Sequence, residues 1–586
     1  MLILYIGKLA LYGAFLCSII STILQIKSKN SLYAHKAHIL YASQITISLL
    51  CIICAFVTND FSLKIVADHS HTVLPLIYKY TAIWGTNSGS LLLLNFLVLI
   101  SAIFVRNFSR NSKLIFLIIC FLLTSLIVNS SPFIKNTDLI QSGKGFNPLL
   151  QDIGIAIHPP ILYFGNALQF IIFALHFDIK SKFNIMQINR ISWCFLTLGL
   201  TLGSWWAYRE LGWGGIWFWD PVENLSLLPW LASTALLHMR NTSPYSLSFK
   251  LACILGAFSF VISMSLIRLG LVDSVHSFAN NSKQGFIFIS VVLFFGILAL
   301  KSIANSTQLL SSKKHLRPEY LMLSNSVLLL FTGIILLGSV IFAPIYQYYS
   351  QNKIELSSSF YTDSLTPLCV LLCVLIPFAY KNKIGFKFLF PALISFVLWV
   401  LFLTLYSFEP LASKVLLLTS INVIVYSIFY FKKRSILQFF GHIFLGVLLI
   451  SVLMHYNCSK SKILNLNEKE YGHFGPYKVK IVSTNIYPHN NYIARETTVE
   501  IHTPKQKLFL KPEVRFFPVE NMYTVESDIV NINLFDELYV TSGSIDNLVH
   551  TIEIKLQSKT KLIWISAFLL GITGLASYFK RRRNEI

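Results

Sequence analysis

Residues 204–230 read SWWAYRELGWGGIWFWDPVENLSLLPW and hold six of the chain's ten tryptophans, Trp205, Trp206, Trp213, Trp217, Trp219 and Trp230. Tryptophan has a large apolar body and one N–H, so it collects where lipid meets water. A cluster this dense, loosened by Gly212, Gly214 and Gly215, has two readings. It is either an aromatic belt at a bilayer surface or a flat bed for a flat ligand. The apolar runs on both sides of it decide the fold class.

Stretches long enough to cross roughly 30 Å of hydrocarbon fall at 4–26, 39–58, 89–105, 114–130, 161–177, 191–207, 225–239, 249–267, 285–304, 321–343, 365–380, 388–407, 412–431, 436–455 and 562–579. They predict a polytopic α-helical membrane protein with about 15 transmembrane helices. Composition agrees: 54% of the 586 residues are hydrophobic, 13% are charged, and mean hydropathy is +0.63, too apolar for a soluble globule. Of nine cysteines, eight lie in apolar runs, which speaks against a disulfide framework. Cys51 and Cys54 have redox spacing but sit mid-membrane, without a βαβ context, and read as packing residues. The first apolar run lacks a small-residue cleavage site and reads as a retained helix.

A net charge of +22 raises nucleic-acid binding, but the basic residues sit in short clusters in alternate loops. These are Lys27, Lys29 and Lys36; Arg106, Arg110 and Lys113; Lys180, Lys182 and Arg190; Arg240 and Lys250; Lys313, Lys314 and Arg317; Lys381, Lys383 and Lys387; Lys432, Lys433 and Arg434; and Lys580 to Arg583. The positive-inside rule explains such a pattern without nucleic acid and predicts an outer N-terminus and a cytoplasmic (or matrix) C-terminus. The outer side then carries loops 59–88, 131–160, 208–224, 268–284 and 344–364, so the tryptophan segment is outside. It also carries region 456–560, where KVKIVST, TTVEIHT, QKLFLK, LYVTS and HTIEIKL alternate polar and apolar residues as strands do. The expected organisation is a bundle over 1–455 containing segment 204–230, a small β-rich outer domain over 456–560, and a last helix with a basic tail over 561–586.

Four of the fifteen histidines stand out by position. His158, before Pro159-Pro160, and His276 bracket the tryptophan segment on the outer side. Imidazoles flanking an aromatic bed suit haem, since histidine is a common axial ligand and porphyrin needs apolar, planar neighbours. His238 and His442 lie within the membrane, where an ionisable residue is a functional hypothesis by default. At 1.5 Å per residue they sit roughly 10 and 9 Å from the inner face, a depth at which two helices can clamp one buried haem. His176 competes for either place, while His455 lies too far outward.

The stretch Trp213-Gly214-Gly215-Ile216-Trp217-Phe218-Trp219-Asp220-Pro221-Val222-Glu223-Asn224 closely resembles the WWD signature of haem-handling proteins, a grouping that includes CcmF, NrfE and CcsA. The surrounding chain resembles the CcmF family, the haem lyase subunits of System I cytochrome c maturation. Ala156-Ile157-His158-Pro159-Pro160 and Asp273-Ser274-Val275-His276-Ser277-Phe278-Ala279 are similar to the family's outer haem-ligand motifs. Thr234-Ala235-Leu236-Leu237-His238 and Gly441-His442 fit its transmembrane ligand positions, and Pro512-Glu513-Val514-Arg515 and Leu538-Tyr539-Val540 resemble its outer domain. The chain departs from the pattern at Asn87-Ser88-Gly89-Ser90, where the family usually has His-Glu-Gly-Ser. It departs again at Leu269, where a serine is common between Arg268 and Gly270.

The resemblance implies a haem lyase, or holocytochrome c synthase component, in a bacterial inner membrane or alternatively a mitochondrial one. It implies substrate haem received from the chaperone CcmE and held transiently between His158 and His276 on Trp213, Trp217 and Trp219, with Asp220 near it. Arg209 or Arg268 is the candidate for pairing with a propionate. It further implies a buried b-type haem on His238 and His442, reduced by a donor such as quinol. The expected partners are CcmH, other thiol-handling Ccm proteins and apocytochrome c. The rival classes are a membrane transporter, or a haem exporter, with an aromatic-lined route. A CcsA-type synthase is disfavoured by the outer β domain.

Overall fold

A computed structural model of the protein describes residues 2–27, 32–105, 108–138, 140–211, 215–272, 274, 282–306, 317–380, 386–431, 436–546 and 549–583. Trp213, His276 and the loop cations Lys29, Arg106, Lys313, Lys314, Lys381, Lys383, Lys432, Lys433 and Arg434 lie outside the described residues. The helices in chain order are α1 (Leu2–Lys27), α2 (Leu32–Val57), α3 (Lys64–His69), α4 (Leu76–Trp84), α5 (Asn87–Ser101), α6 (Arg110–Asn129), α7 (Ile153–Leu175), α8 (Lys182–Glu210) and α9 (Pro221–His238). They continue with α10 (Leu247–Leu269), α11 (Ser282–Ala304), α12 (Arg317–Ser350), α13 (Ser358–Tyr380), α14 (Phe386–Leu405), α15 (Leu411–Phe429) and α16 (Ile436–Cys458), and α17 (Thr560–Arg583) follows the strands. Every expected span falls on one of these helices, with 89–105 running from α5 through a 3-10 turn at Ala102–Phe104, and α3 and α4 are short additions in loop 59–88.

By length and composition, thirteen of the described helices are apolar enough to cross a membrane, and α8 and α9 are the two long ones that are not. Their polarity is satisfied between helices, as a lipid environment demands. Asn189 Nδ2 of α8 donates to the Ser233 carbonyl of α9 at 2.9 Å, and Ser233 Oγ donates back to Asn189 Oδ1 at 2.8 Å. Ser192 Oγ of α8 donates to the Gly165 carbonyl of α7 at 2.8 Å while accepting from Gln169 Nε2 at 2.7 Å. One large apolar core joins α1, α2, the helices from α5 to α12 and part of α13, and a second joins α13 to α16.

Ten strands form a β-sandwich between α16 and α17. They are β1 (Lys460–Leu466), β2 (Tyr471–Phe474), β3 (Tyr477–Pro488), β4 (Ile493–His502), β5 (Lys507–Leu510), β6 (Glu513–Phe517), β7 (Met522–Glu526), β8 (Asp528–Asn531), β9 (Glu537–Asp546) and β10 (Val549–Gln557). One sheet runs β1-β10-β9-β8 and the other β2-β3-β4-β6-β7, with β5 also on β4. Period-2 alternation turns Leu464, Val540, Ile552 and Ile554 of the first sheet onto Val479, Ile481, Val499 and Ile501 of the second. The five alternating stretches read from the sequence fall on β3, β4, β5, β9 and β10, with Thr503, Gln506 and Lys511 just outside the strands.

The sandwich also sets the helix arrangement. Because β1 and β10 pair antiparallel with Lys460 opposite Leu556, the chain leaves the membrane on α16 and re-enters beside it on α17. Thr560 Oγ1 meets His455 Nδ1 at 3.3 Å and the Ser558 N–H donates to Ser459 Oγ at 3.0 Å across this junction. His455 is thus a junction residue. Asp536 completes the junction by accepting from Ser558 Oγ at 3.1 Å and from the Lys559 N–H at 3.1 Å and Nζ at 3.0 Å.

Burial pushes the Asp536 carboxyl up, but the bonds from Asn533 and Lys559 outweigh burial and hold it below the ordinary aspartate range. A carboxylate held low in the folded state contributes stability above its unfolded pKa and loses it as pH falls through the folded one. The junction is therefore expected to loosen below about pH 4. Hydrogen exchange at the Lys559 amide checks this, and a protection factor that stays constant on acidification contradicts it.

Candidate functional site

At the end of the bundle that carries the sandwich, Asp152 caps α7 through its bond to the Gly154 N–H. Within the second turn comes His158, followed by Pro159 and Pro160 inside the helix. Proline has no N–H, so the carbonyls of Ile155 and Ala156 lose their helical donors. The Trp84 indole N–H takes the first of these, donating to the Ile155 carbonyl at 3.0 Å, which draws α4 against the turn carrying His158. On the other side α8 presents Gly203, where a Cβ would stand 3.0 Å from His158 Cε1 and Nδ1. Gly199, one turn below, meets Leu162, and Gly165 of α7 meets Leu196, so α7 and α8 close on a glycine seam.

His158 lines a cavity of about 200 Å³ whose walls include Trp84 of α4, Tyr163 and Asn166 of α7, Ser226 of α9 and Arg268 of α10. Arg268 is 2% exposed. Its Nη1 donates to Asn87 Oδ1 at 3.1 Å and to Gln284 Oε1, its Nη2 donates to Ser90 Oγ at 3.1 Å, and it lies over the Phe288 ring. The two elements that depart from the family pattern, 87–90 and 268–270, thus sit against each other. Arg209 differs: it faces Asp152 at 3.4 Å and Glu210 at 3.9 Å and covers the Trp205 ring at 4.7 Å.

The five described tryptophans of the segment do not form one surface, because helical phase separates those on α8 and α9. Trp206 is fully buried with its Cβ against Gly154, and Trp230 stacks on Trp193 while donating to Thr197 Oγ1 at 2.9 Å. Trp217 and Trp219 stand on the loop before α9, edge to face at 6.2 Å. Trp219 has a φ of 59°, a left-handed conformation that costs a bulky side chain about 1–3 kcal/mol unless its surroundings enforce it. Several contacts enforce it. Tyr361 stacks on the Trp219 ring at 5.2 Å and 8°, and Asn224 Nδ2 donates to the Trp219 carbonyl at 2.8 Å. Glu223 Oε2 accepts from the Phe218 and Asp220 N–H groups at 2.9 and 3.2 Å, while the Tyr456 hydroxyl of α16 donates to the Trp217 carbonyl at 2.9 Å.

Asp220 is the N-cap of α9 in a capping box with Glu223, and its Oδ1 accepts from the Val222 N–H at 2.8 Å and Ser274 Oγ at 2.7 Å. Its carboxylate therefore organises the loop and ties it to Ser274. Tyr361 and Tyr456 were not foreseen: each lies far along the chain in a run that carries no motif.

The Tyr456–Trp217 bond also levels α9 with α16. From Tyr456, His442 lies about 21 Å along α16, and from the first residue of α9, four residues beyond Trp217, His238 lies about 26 Å along that helix. The two helices are bridged by α8 and α17, which close on each other because Gly571 meets Leu198 and Gly574 meets Trp193. His238 Nδ1 donates to the Thr234 carbonyl at 2.8 Å, which fixes the tautomer and leaves Nε2 as the acceptor nitrogen. Both ring nitrogens of His176 are engaged: Nδ1 donates to the Phe173 carbonyl at 2.5 Å and Nε2 meets Ser302 Oγ at 3.1 Å. Among the described residues no group of three or more His, Cys, Asp or Glu side chains is arranged to hold a bare metal ion. A porphyrin iron needs only two axial donors.

The cavity, the tryptophan loop and His238 all fall within residues 84–279, which match a family described as cytochrome c assembly protein. This places the chain among multi-pass membrane proteins of cytochrome c biogenesis. Residues 457–560 match the CcmF C-terminal beta-sandwich. The chain is 30% identical to the cytochrome c-type biogenesis protein ccl1 of Rhodobacter capsulatus, over 92% of this chain and 90% of that protein. It is 27% identical to CcmF of Haemophilus influenzae over 93% of this chain and 92% of that one, and 27% identical to CcmF of Escherichia coli over 92% and 90%. The fold matches the solved cytochrome c haem lyase CcmF with a TM-score of 0.80 at 16% identity, covering 98% of this chain and 97% of that chain. The chain belongs to the CcmF family.

The loop geometry makes a direct prediction. Glu223→Ala removes the acceptor shared by Phe218 and Asp220 at a cost of about 0.5–2 kcal/mol. Amide exchange at both residues is expected to accelerate, with Glu223→Gln retaining most of the protection. Unchanged exchange in Glu223→Ala would mean that the cap does not hold the loop.

Proposed function

We propose that the protein is a haem lyase of System I, attaching haem covalently to the CxxCH motif of apocytochrome c at the outer face of a bacterial inner membrane. The N-terminus is outside, the C-terminus is cytoplasmic, and the sandwich faces the periplasm. One observation carries the reading: His158 stands on the proline-broken turn of α7 in the wall of a cavity bordered by the first turn of α9, which the tryptophan loop caps. Substrate haem arrives from CcmE and is held by His158 and His276, beside Trp213, Trp217 and Trp219. CcmH and related thiol-handling partners present apocytochrome. Each cysteine S–H adds across a vinyl group, sulfur bonding one carbon and hydrogen the other, with no net change in oxidation state. Thiolate access limits such additions, so the enzyme's contribution is orientation.

His238 and His442 are the residues that would hold a resident b-type haem. Support comes from the shared depth, from the Thr234 bond that directs Nε2 away from its own helix, and from the separation of α9 and α16 by the α8–α17 pair. When bound, that haem supplies one-electron transfer from a membrane donor such as quinol toward the substrate iron. The chain's own part is to hold the imidazole tautomer and exclude water from the pair.

Absorption spectra of the purified protein test the buried site. His238→Ala and His442→Ala are each expected to abolish a bis-imidazole b-type spectrum, whereas His176→Ala retains it. A bis-imidazole spectrum that survives both ligand substitutions would refute the assignment. His158→Ala and His276→Ala are expected to keep the b-type spectrum and to lower holocytochrome yield by about 10²-fold or more. Normal maturation in both removes the outer site.

A further inference from the structure

Among the described residues, the buried cation in the wall of the cavity beside His158 has no counter-ion. A guanidinium has five N–H donors, and Arg268 engages only neutral acceptors with three of them: Asn87, Gln284 and Ser90. Its Nε–H is buried and makes no hydrogen bond, and among the described residues no carboxylate lies within ion-pair reach of it. Removing a charge from water is unfavourable unless a partner returns the loss, and at this site the residue faces a cavity. Arg209, at the same end of the bundle, has Asp152 and Glu210 beside it. The deficit therefore belongs to Arg268, in a chain where 87–90 reads Asn-Ser-Gly-Ser and offers no acid.

We infer that Arg268 is the receptor for a ligand carboxylate in this cavity, and that it orients substrate haem with its propionate edge inward. The inference rests on the haem lyase reading for the identity of the ligand. Porphyrin chemistry supplies the consequence. The two propionates lie on one edge of the ring and the two vinyls on the opposite side, so a propionate on Arg268 turns the vinyls away from α10 toward the mouth of the site. Guanidinium suits the task because its planar fork pairs with a carboxylate through two parallel bonds. The cavity accepts an edge of the ring and not the whole of it, since about 200 Å³ lies below the range of pockets that enclose drug-sized ligands. The remainder of the ring lies toward the tryptophan loop.

The probe is metal-free protoporphyrin IX, which removes iron ligation from the measurement, compared with its dimethyl ester, which removes the carboxylates. Both are titrated by tryptophan quenching into the full-length protein in detergent. The diacid is expected to bind wild type at least about tenfold more tightly than the diester, and Arg268→Gln is expected to bind the two equally. Asn87→Asp supplies an internal counter-ion 3.1 Å from Nη1 at the first turn of a helix, where an acid is tolerated. It is expected to weaken diacid binding without weakening diester binding, so the test does not depend on the stability of one variant. Equal binding of acid and ester by wild type overturns the inference, as does an acid preference that survives Arg268→Gln. Either result leaves the haem reading to be judged separately by the His158→Ala maturation assay. Laurate, a carboxylate without a ring, separates the sources: failure to displace the diacid supports a propionate pocket, and Arg268-dependent displacement at equal concentration overturns porphyrin as the ligand.

Discussion

The structure depends on how closely two neighbours approach α8. In lipid no hydrophobic force drives helices together, so backbone proximity at small residues must supply the contact. On one face of α8, Gly199 and Gly203 admit Leu162 and His158 of α7, and on another, Gly571 and Gly574 of α17 admit Leu198 and Trp193. The first seam sets the position of His158. The second brings the helix that re-enters from the sandwich against the centre of the bundle, and with it α16, which β1–β10 pairing holds at its side. The position of His158 and the spacing of α9 and α16, which carry His238 and His442, thus both derive from one helix that carries none of these histidines.

That helix is also among the least apolar long helices in the bundle. Asn189, Ser192, Thr197 and Trp193 of α8 bond to Ser233, Gly165, Trp230 and Thr234 on its neighbours. Each such bond would be exposed to hydrocarbon if α8 were turned outward, and an unsatisfied polar group there costs several kcal/mol. The polar residues therefore specify which faces are internal. They do so at the expense of hydropathy, which is why α8 and α9 read poorly as spans by composition and clearly by position between basic loops.

Much of this was legible in the sequence, for definite reasons. Span positions follow from length and apolarity, and the sandwich follows from alternation, both local properties. His158 was marked by the two prolines after it, and His238 by being a titratable group in an apolar run. Long-range contacts were not legible. Nothing near Tyr361 says that it stacks on Trp219, nothing near Tyr456 says that it holds the Trp217 carbonyl, and the encounter of Asn87 with Arg268 joins residues 181 apart. The density of tryptophan was legible and its arrangement was not, because composition carries no helical phase.

That arrangement changes what the tryptophans can contribute. A flat bed would need several indoles in one plane, but Trp217 and Trp219 meet at 81°. Trp219 has one face covered by Tyr361 at an interplanar angle of 8°, so a flat ligand meets it from the other face alone. Holding the ring there requires a backbone conformation that a bulky residue avoids, and Tyr361, Asn224, Glu223 and Tyr456 come from α13, α9 and α16 to enforce it. Such over-determination rigidifies a short loop whose own sequence, with Gly215 inside it, would otherwise let it move. The loop is thus a fixed wall at the N-terminus of α9, held by residues of three helices and not by its own sequence.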